Sequence, residues 1–169
     1  MARWSEITAA EPEFARQVRA RFAVYRCETL ATLRRDGSPR ISGIDAVFSD
    51  GDLWLPMMVG SVKIADLRRD PRLALHSPTT TALNADLSDW PGEAKIAGYV
   101  VEGTEANSNS ERLIDFRVDV TEVVLTYLDR TDFVVESWHE GRGLRRRERW
   151  YPDEHRVEHT IHWEQKNDV

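Results

Sequence analysis

The sequence predicts a mainly β protein, an antiparallel barrel with a few short helices. Three observations predict it. Short apolar runs with strand spacing recur along the chain, as where Phe116, Val118 and Val120 alternate with Arg117, Asp119 and Thr121. Turn signals separate these runs: Asp36-Gly37-Ser38-Pro39 and Ser49-Asp50-Gly51-Asp52 mark hairpins. Helical spacing occurs in only two short stretches. Seven or eight strands and two helices follow, and many short strands joined by tight turns argue for a barrel.

The elements read in order as follows. Pro12 suits a first helical position, and Phe14, Val18 and Phe22, with Ala15 beside them, form one apolar face. Thr29 to Leu33 is a strand, Arg40 to Phe48 is the next, and Leu53 to Met57 is a third with apolar residues on both faces. Gly60-Ser61 breaks the pattern. Val62 to Arg69 is a short helix with Ile64 and Leu67 inward, Ser61 at its N-cap and Asp70-Pro71 as its stop. Arg72 to His76 is a strand that puts Leu73 and Leu75 on one face. Ser77 to Gly92, rich in Thr, Asp, Asn and Pro, is a long loop of the kind that is usually functional or mobile. Ala94 to Val101 is a strand, and Asn107 to Ser110 a turn or helix start. Phe116 to Thr121, extended by Val123 to Leu128, is followed by strands at Phe133 to Trp138 and Arg145 to Tyr151. One domain spans 1–169: a helical segment over 1–27, the barrel over 28–163 and a polar tail over 164–169.

At 169 residues the chain can bury a core without disulfides or a structural metal. Its 23 basic and 29 acidic residues give a net charge of −6, which argues against nucleic acid or an anionic membrane as partner. Cys27 is the only cysteine, so no intrachain disulfide and no Cys-rich zinc site forms; it reads as a small buried apolar residue. No apolar run approaches the roughly 18 residues of a membrane span, and the polar first residues do not form a signal peptide. A cytoplasmic protein is expected. Within the acidic total, 20 of the 23 cations are arginine, clustered early (Arg16, Arg19, Arg21, Arg26) and late (Arg142, Arg145, Arg146, Arg147, Arg149). Local anion sites are compatible with that pattern.

The strongest chemical signal is Gly60-Ser61-Val62-Lys63 at a helix start. A helix N-terminus presents free N–H groups and a positive dipole end. A lysine in the first turn is unfavourable there unless an anion reverses the sign. The arrangement fits a phosphate held by Ser61, nearby amides and Lys63; read locally, it equally fits a surface helix with a solvated lysine. Arg40 and Ser42 share one face of their strand and would add a guanidinium and a hydroxyl to the same anion. Arg40 alone also suits an exposed strand start. No nucleophile–base–orienter set is visible, so no catalytic residue is assigned and no metal is expected. Arg145, Arg147 and Arg149 share a strand face, as an anion receiver or a solvated protective edge. His155, His159 and His162 read as packing on a strand, with metal or haem binding as the lesser reading. His76 reads as a strand-end core histidine and Trp54 as core. Trp90 reads as a loop anchor or a cover for a ring-shaped ligand.

Two stretches carry a family resemblance. Leu30-Ala31-Thr32-Leu33-Arg34-Arg35-Asp36-Gly37-Ser38-Pro39-Arg40 is similar to the opening hairpin of the pyridoxamine 5′-phosphate oxidase-like flavin-binding split β-barrel superfamily. Gly60-Ser61-Val62-Lys63, followed by Ile64-Ala65-Asp66-Leu67-Arg68-Arg69-Asp70-Pro71-Arg72, resembles its phosphate-binding turn, short helix and Asp-Pro stop. The resemblance covers residues 28–105 best. It implies a six-stranded split barrel and a homodimer with FMN or the deazaflavin coenzyme F-420 at the subunit interface. It implies cofactor contacts from Gly60, Ser61 and Lys63, with Arg40 and Ser42 as strand-borne partners, Met57 and Met58 along the ring system, and Ser77 near the pocket. Many FMN-binding members carry Arg-Lys where Val62-Lys63 stands here, and the oxidase's arginine-histidine substrate signature is only loosely matched by Trp138 and the run from Arg142 to Arg149. The implied activity is hydride transfer with an unidentified small molecule, since the cofactor ring does the chemistry. A cofactor-binding protein without turnover and a haem-binding protein are the other readings.

Overall fold

Two residues join the opposite ends of the strand order, and this link shapes the molecule. The computed structural model describes residues 1–79, 90–103, 112–129 and 132–150. They form α1 (Trp4–Ala10), α2 (Pro12–Phe22), β1 (Glu28–Leu33), β2 (Pro39–Ile44), β3 (Val47–Ser49), β4 (Asp52–Met58) and α3 (Val62–Arg69). There follow β5 (Arg72–His76), β6 (Glu93–Glu102), β7 (Leu113–Asp129), β8 (Asp132–His139) and β9 (Gly143–Trp150). Every strand pairing is antiparallel. The order is β2-β1-β5-β6-β7-β4-β3, with β8 added to β7 and β9 to β8.

β2 and β3 are the two ends of that path, yet only Asp45 and Ala46 separate them. Three Cα–Cα steps keep Ile44 and Val47 within about 11 Å. The sheet therefore curls until its ends meet, without ladder hydrogen bonds between them, which makes it a split barrel. The strand expected over Arg40 to Phe48 is thus two strands on different partners. Its alternation survives the break, because Ile44, Ala46 and Phe48 all turn to the core. Tertiary hydrogen bonds make the break. The buried Glu28 carboxylate accepts the Ala46 N–H at 2.9 Å, and Asp45 Oδ1 accepts the Cys27 N–H at 3.2 Å. Cys27 is exposed rather than buried, with φ 76°. A Cβ on Gly43 would lie 2.7 Å from the Cys27 sulfur, so glycine lets β2 pass this turn.

β7 is the longest strand. β6 lies along one edge, while the other edge serves β4 at 113–117 and β8 at 122–129. Between them Ala2 bridges Val120 with two hydrogen bonds of 2.9 and 3.0 Å. Against β6, Ala97 pairs with Glu122 and Gly98 with Val120, which leaves Thr121 as a bulge. The inward residues therefore switch from Phe116, Val118 and Val120 to Val123 and Leu125, all at most 1% exposed. This parity change is why the sequence reads as two runs.

α2 begins at Pro12 and buries Phe14, Ala15, Val18 and Phe22, as its spacing predicts. α1 is an addition: Trp4 and Ile7, one turn apart, are its buried residues, too short a pattern to announce a helix. α3 buries Ile64 and Leu67, and Asp70 closes it. No described helix is long and apolar enough to cross a membrane. The 107–110 turn, the middle of the 77–92 loop and everything after 150, including His155, His159 and His162, lie outside the described residues.

Gly98 yields a stability prediction. A Cβ there would sit 2.2 Å from the Asp119 carbonyl oxygen, with backbone on the receiving side. Gly98→Ala should cost about 1–3 kcal/mol, the range for forced overpacking. A urea denaturation midpoint equal to that of the parent would contradict this.

Candidate functional site

The turn from β4 into α3 is built around Gly60. Its φ of 84° is left-handed, a conformation that costs an L-residue about 1–2 kcal/mol. The Ser61 N–H returns to the Met58 carbonyl at 3.1 Å, and Ser61 takes the N-cap place with extended φ and ψ. Its side chain makes no capping hydrogen bond. The Ser61 hydroxyl is instead buried without a partner among the described residues, and so is that of Ser42. Lys63 links the two: it lies two residues from Ser61, and its Nζ donates to the carbonyl of Gly43, next to Ser42. Among the first amides of α3, that of Ile64 donates to the Ser61 carbonyl at 3.1 Å, and those of Val62 and Lys63 have no intrahelical acceptor by geometry. Lys63 thus ties the helix start to edge strand β2 next to Ser42, with Ser61 two residues away. Such a donor set suits a phosphate.

Arg40 is paired with a buried acid. Its Nε donates to Asp66 Oδ2 at 2.6 Å, while Arg69 reaches Asp66 Oδ1 at 2.9 Å and the Thr32 hydroxyl reaches Oδ2 at 3.2 Å. Asp66 is 3% exposed. Burial by itself would raise its pKa, but the hydrogen bonds from Arg40 and Arg69 and the charge of Arg40 outweigh it, so the carboxyl sits below its usual range. The cluster ties α3 to β1 and β2 and so positions the turn. Asp66 and Thr32 were not singled out by sequence reasoning. The available signal was an acid next to inward Leu67, on a helix facing a strand that carries arginine.

The remaining expected residues scatter. Met57 is in the core at 1% exposure, whereas Met58 is 72% exposed. Ser77 is buried and internally satisfied: its hydroxyl accepts the Ala94 N–H at 3.0 Å. His76 is half-buried, with Nδ1 2.6 Å from the Ser77 carbonyl and Nε2 3.3 Å from Glu93. Trp54 is only partly buried, and Trp90 stacks on Phe133 with centroids 5.8 Å apart, as a loop anchor does. Arg146 reaches Asp129, Glu136 and Glu148 on one face of β9, while Arg145 and Arg147 are exposed.

Fold and site together define an antiparallel split barrel with a glycine turn and buried hydroxyls at a helix start. The family model described as pyridoxamine 5′-phosphate oxidase matches residues 14–123. The chain belongs to that family. Among solved structures, a pyridoxamine 5′-phosphate oxidase-related, FMN-binding protein from Nostoc punctiforme is 9% identical with a TM-score of 0.55, covering 82% of this chain and 95% of that one. A conserved hypothetical protein from Mycobacterium tuberculosis is 19% identical with a TM-score of 0.51, covering 67% and 81%. The General Stress Protein 26 from Bacillus anthracis is 12% identical with a TM-score of 0.50, covering 65% and 91%. Likenesses at these identities speak to the fold. A search of curated proteins finds no match.

The Asp66 cluster makes a pH prediction. A depressed folded pKa contributes stability above the unfolded value of about 3.9 and loses it as pH falls through the folded one. Stability should therefore decline below about pH 4. Asp66→Asn should cost about 2–3 kcal/mol at neutral pH and flatten that acid limb. Urea midpoints across the acid range test both; an unchanged acid limb would remove Asp66 as its source.

Proposed function

We propose that this protein is an oxidoreductase that uses FMN or coenzyme F-420 and exchanges hydride with a small-molecule substrate. The observation that carries this reading is the pair of buried, unpartnered hydroxyls of Ser42 and Ser61 flanking Lys63. Buried polar atoms are normally satisfied, and two orphans beside an ammonium imply an acceptor with several oxygens. A phosphate ester is that acceptor, and both cofactors carry one. When bound, the flavin or deazaflavin ring supplies the hydride chemistry. The chain's own contribution is to hold the phosphate with Ser42, Ser61 and Lys63 and to keep the turn in place through Gly60 and Asp66.

The site in this reading is completed by a second copy of the chain. Met58, Val59 and Val62 surround the turn and Ile41 neighbours Ser42, and all four are exposed apolar side chains, with Ile41 74% accessible. Covering them removes apolar area from water beside the cofactor.

Titration of the purified protein with FMN and with coenzyme F-420, read by absorbance and fluorescence, tests the proposal. One of the two should bind, and Lys63→Ala should weaken it by about 1–3 kcal/mol, the worth of a charged hydrogen bond. Protein that binds neither would overturn the reading. Light scattering should give twice the 19.5 kDa of one chain; a monomer would remove the shared interface.

A further inference from the structure

A cavity lies at the other end of β4 from the Gly60 turn. It measures about 390 Å³, within the range of small-molecule sites, and lies between α1, α2 and the β3–β4 hairpin. Asp52 begins β4 and Met58 ends it, so the cavity and the phosphate cradle are about 20 Å apart along the strand.

The wall is aromatic. Phe48 packs edge-on against Trp4 at 4.8 Å and Phe22 at 5.7 Å, and the Arg19 guanidinium carbon stands 5.6 Å from the Phe48 ring centre. Most polar groups of the lining are spoken for. Thr8 donates to the Trp4 carbonyl at 3.0 Å, Ser49 donates to Asp50 at 2.6 Å, and Arg3 takes the Asp52 carboxylate. Two strong donors are left. Arg16, one turn earlier on α2, is paired with Glu13, but among the described residues Arg19 has only the Phe48 ring. Trp4 is 2% exposed, and its indole N–H is buried without an acceptor. Donors beside an aromatic wall select an anion with a flat apolar body. Asp50, which no described cation neutralises, stands on the same rim and disfavours a second negative charge.

We propose that this cavity binds a small aromatic monocarboxylate, with its carboxylate on Arg19 and the Trp4 N–H and its ring against Phe48. This site is independent of the phosphate cradle and of the activity proposed for it.

The test is a calorimetric titration of the full chain with 2-naphthoate, its neutral amide 2-naphthamide, and 2-naphthyl phosphate. The carboxylate should bind saturably, and the amide and the phosphate should each bind about tenfold or more weakly. Arg19→Gln should also weaken the carboxylate about tenfold or more, the loss of a charge-assisted hydrogen bond. Arg19 is exposed, so an unchanged thermal melt should accompany that loss. The ¹⁵N indole signal removed by Trp4→Phe should shift on carboxylate addition in the parent, and Lys63→Ala should leave the affinity unchanged. No saturation at millimolar ligand, equal binding of the amide, tighter binding of the phosphate, or indifference to Arg19→Gln would each overturn the proposal. Weakening by Lys63→Ala would overturn it too, because it would move the ligand to the cradle.

Discussion

The structure depends on a short covalent constraint: Asp45 and Ala46 must carry the chain from one end of the strand order to the other. Two residues reach so little distance that the sheet has to curl around its core. The buried Glu28 carboxylate, bonded to the Ala46 N–H, and Asp45, bonded to the Cys27 N–H, secure the crossing from both sides. Once β2 and β3 meet, β4 lies across the barrel from β1 and delivers the Gly60 turn beside β2. The turn's place beside β2 is a consequence of that curl, since Ser42 lies on β2 and Ser61 follows β4, strands that are not neighbours in the sheet.

Charge is distributed with a clear division of labour. Arg40 and Arg69 answer one buried acid, Asp66, and their joint pull keeps that acid ionised despite burial. Removing either side would leave a charge in a place water does not reach well. Arg40 spends its Nε–H on that acid. Lys63, a flexible point charge with three donors, can bond the Gly43 carbonyl and still present N–H groups outward. Arg40 and Arg69 thus serve the fold at this end of the molecule.

Legibility varied with how local the cause was. α2 and α3, β5 and the β3–β4 hairpin were readable, because Pro12, the Ser61 N-cap place, Asp70-Pro71 and Asp50-Gly51 act on their immediate neighbours. The break between β2 and β3 was not, because the inward alternation passes through it unchanged. The parity switch in β7 was visible as a change of register, but its cause is the bulge at Thr121 opposite Ala97 and Gly98. At the site, Ser42, Gly60, Ser61 and Lys63 come together, while Met57 turns into the core and Ser77 spends its hydroxyl on Ala94. A strand's period assigns a face, but it does not say whether that face meets the core or the cradle.

The class of fold, most strand and helix positions, and the glycine turn into α3 are legible in the chain alone, since periodicity, turn chemistry and a left-handed glycine are short-range properties. It took the tertiary structure to show that the barrel is split and its ends joined by a two-residue link, that Arg40 pairs with Asp66, and that two buried serine hydroxyls have no partner among the described residues. Each of these depends on groups far apart in the chain competing for the same hydrogen bonds, and that competition is settled only when the sheet has curled.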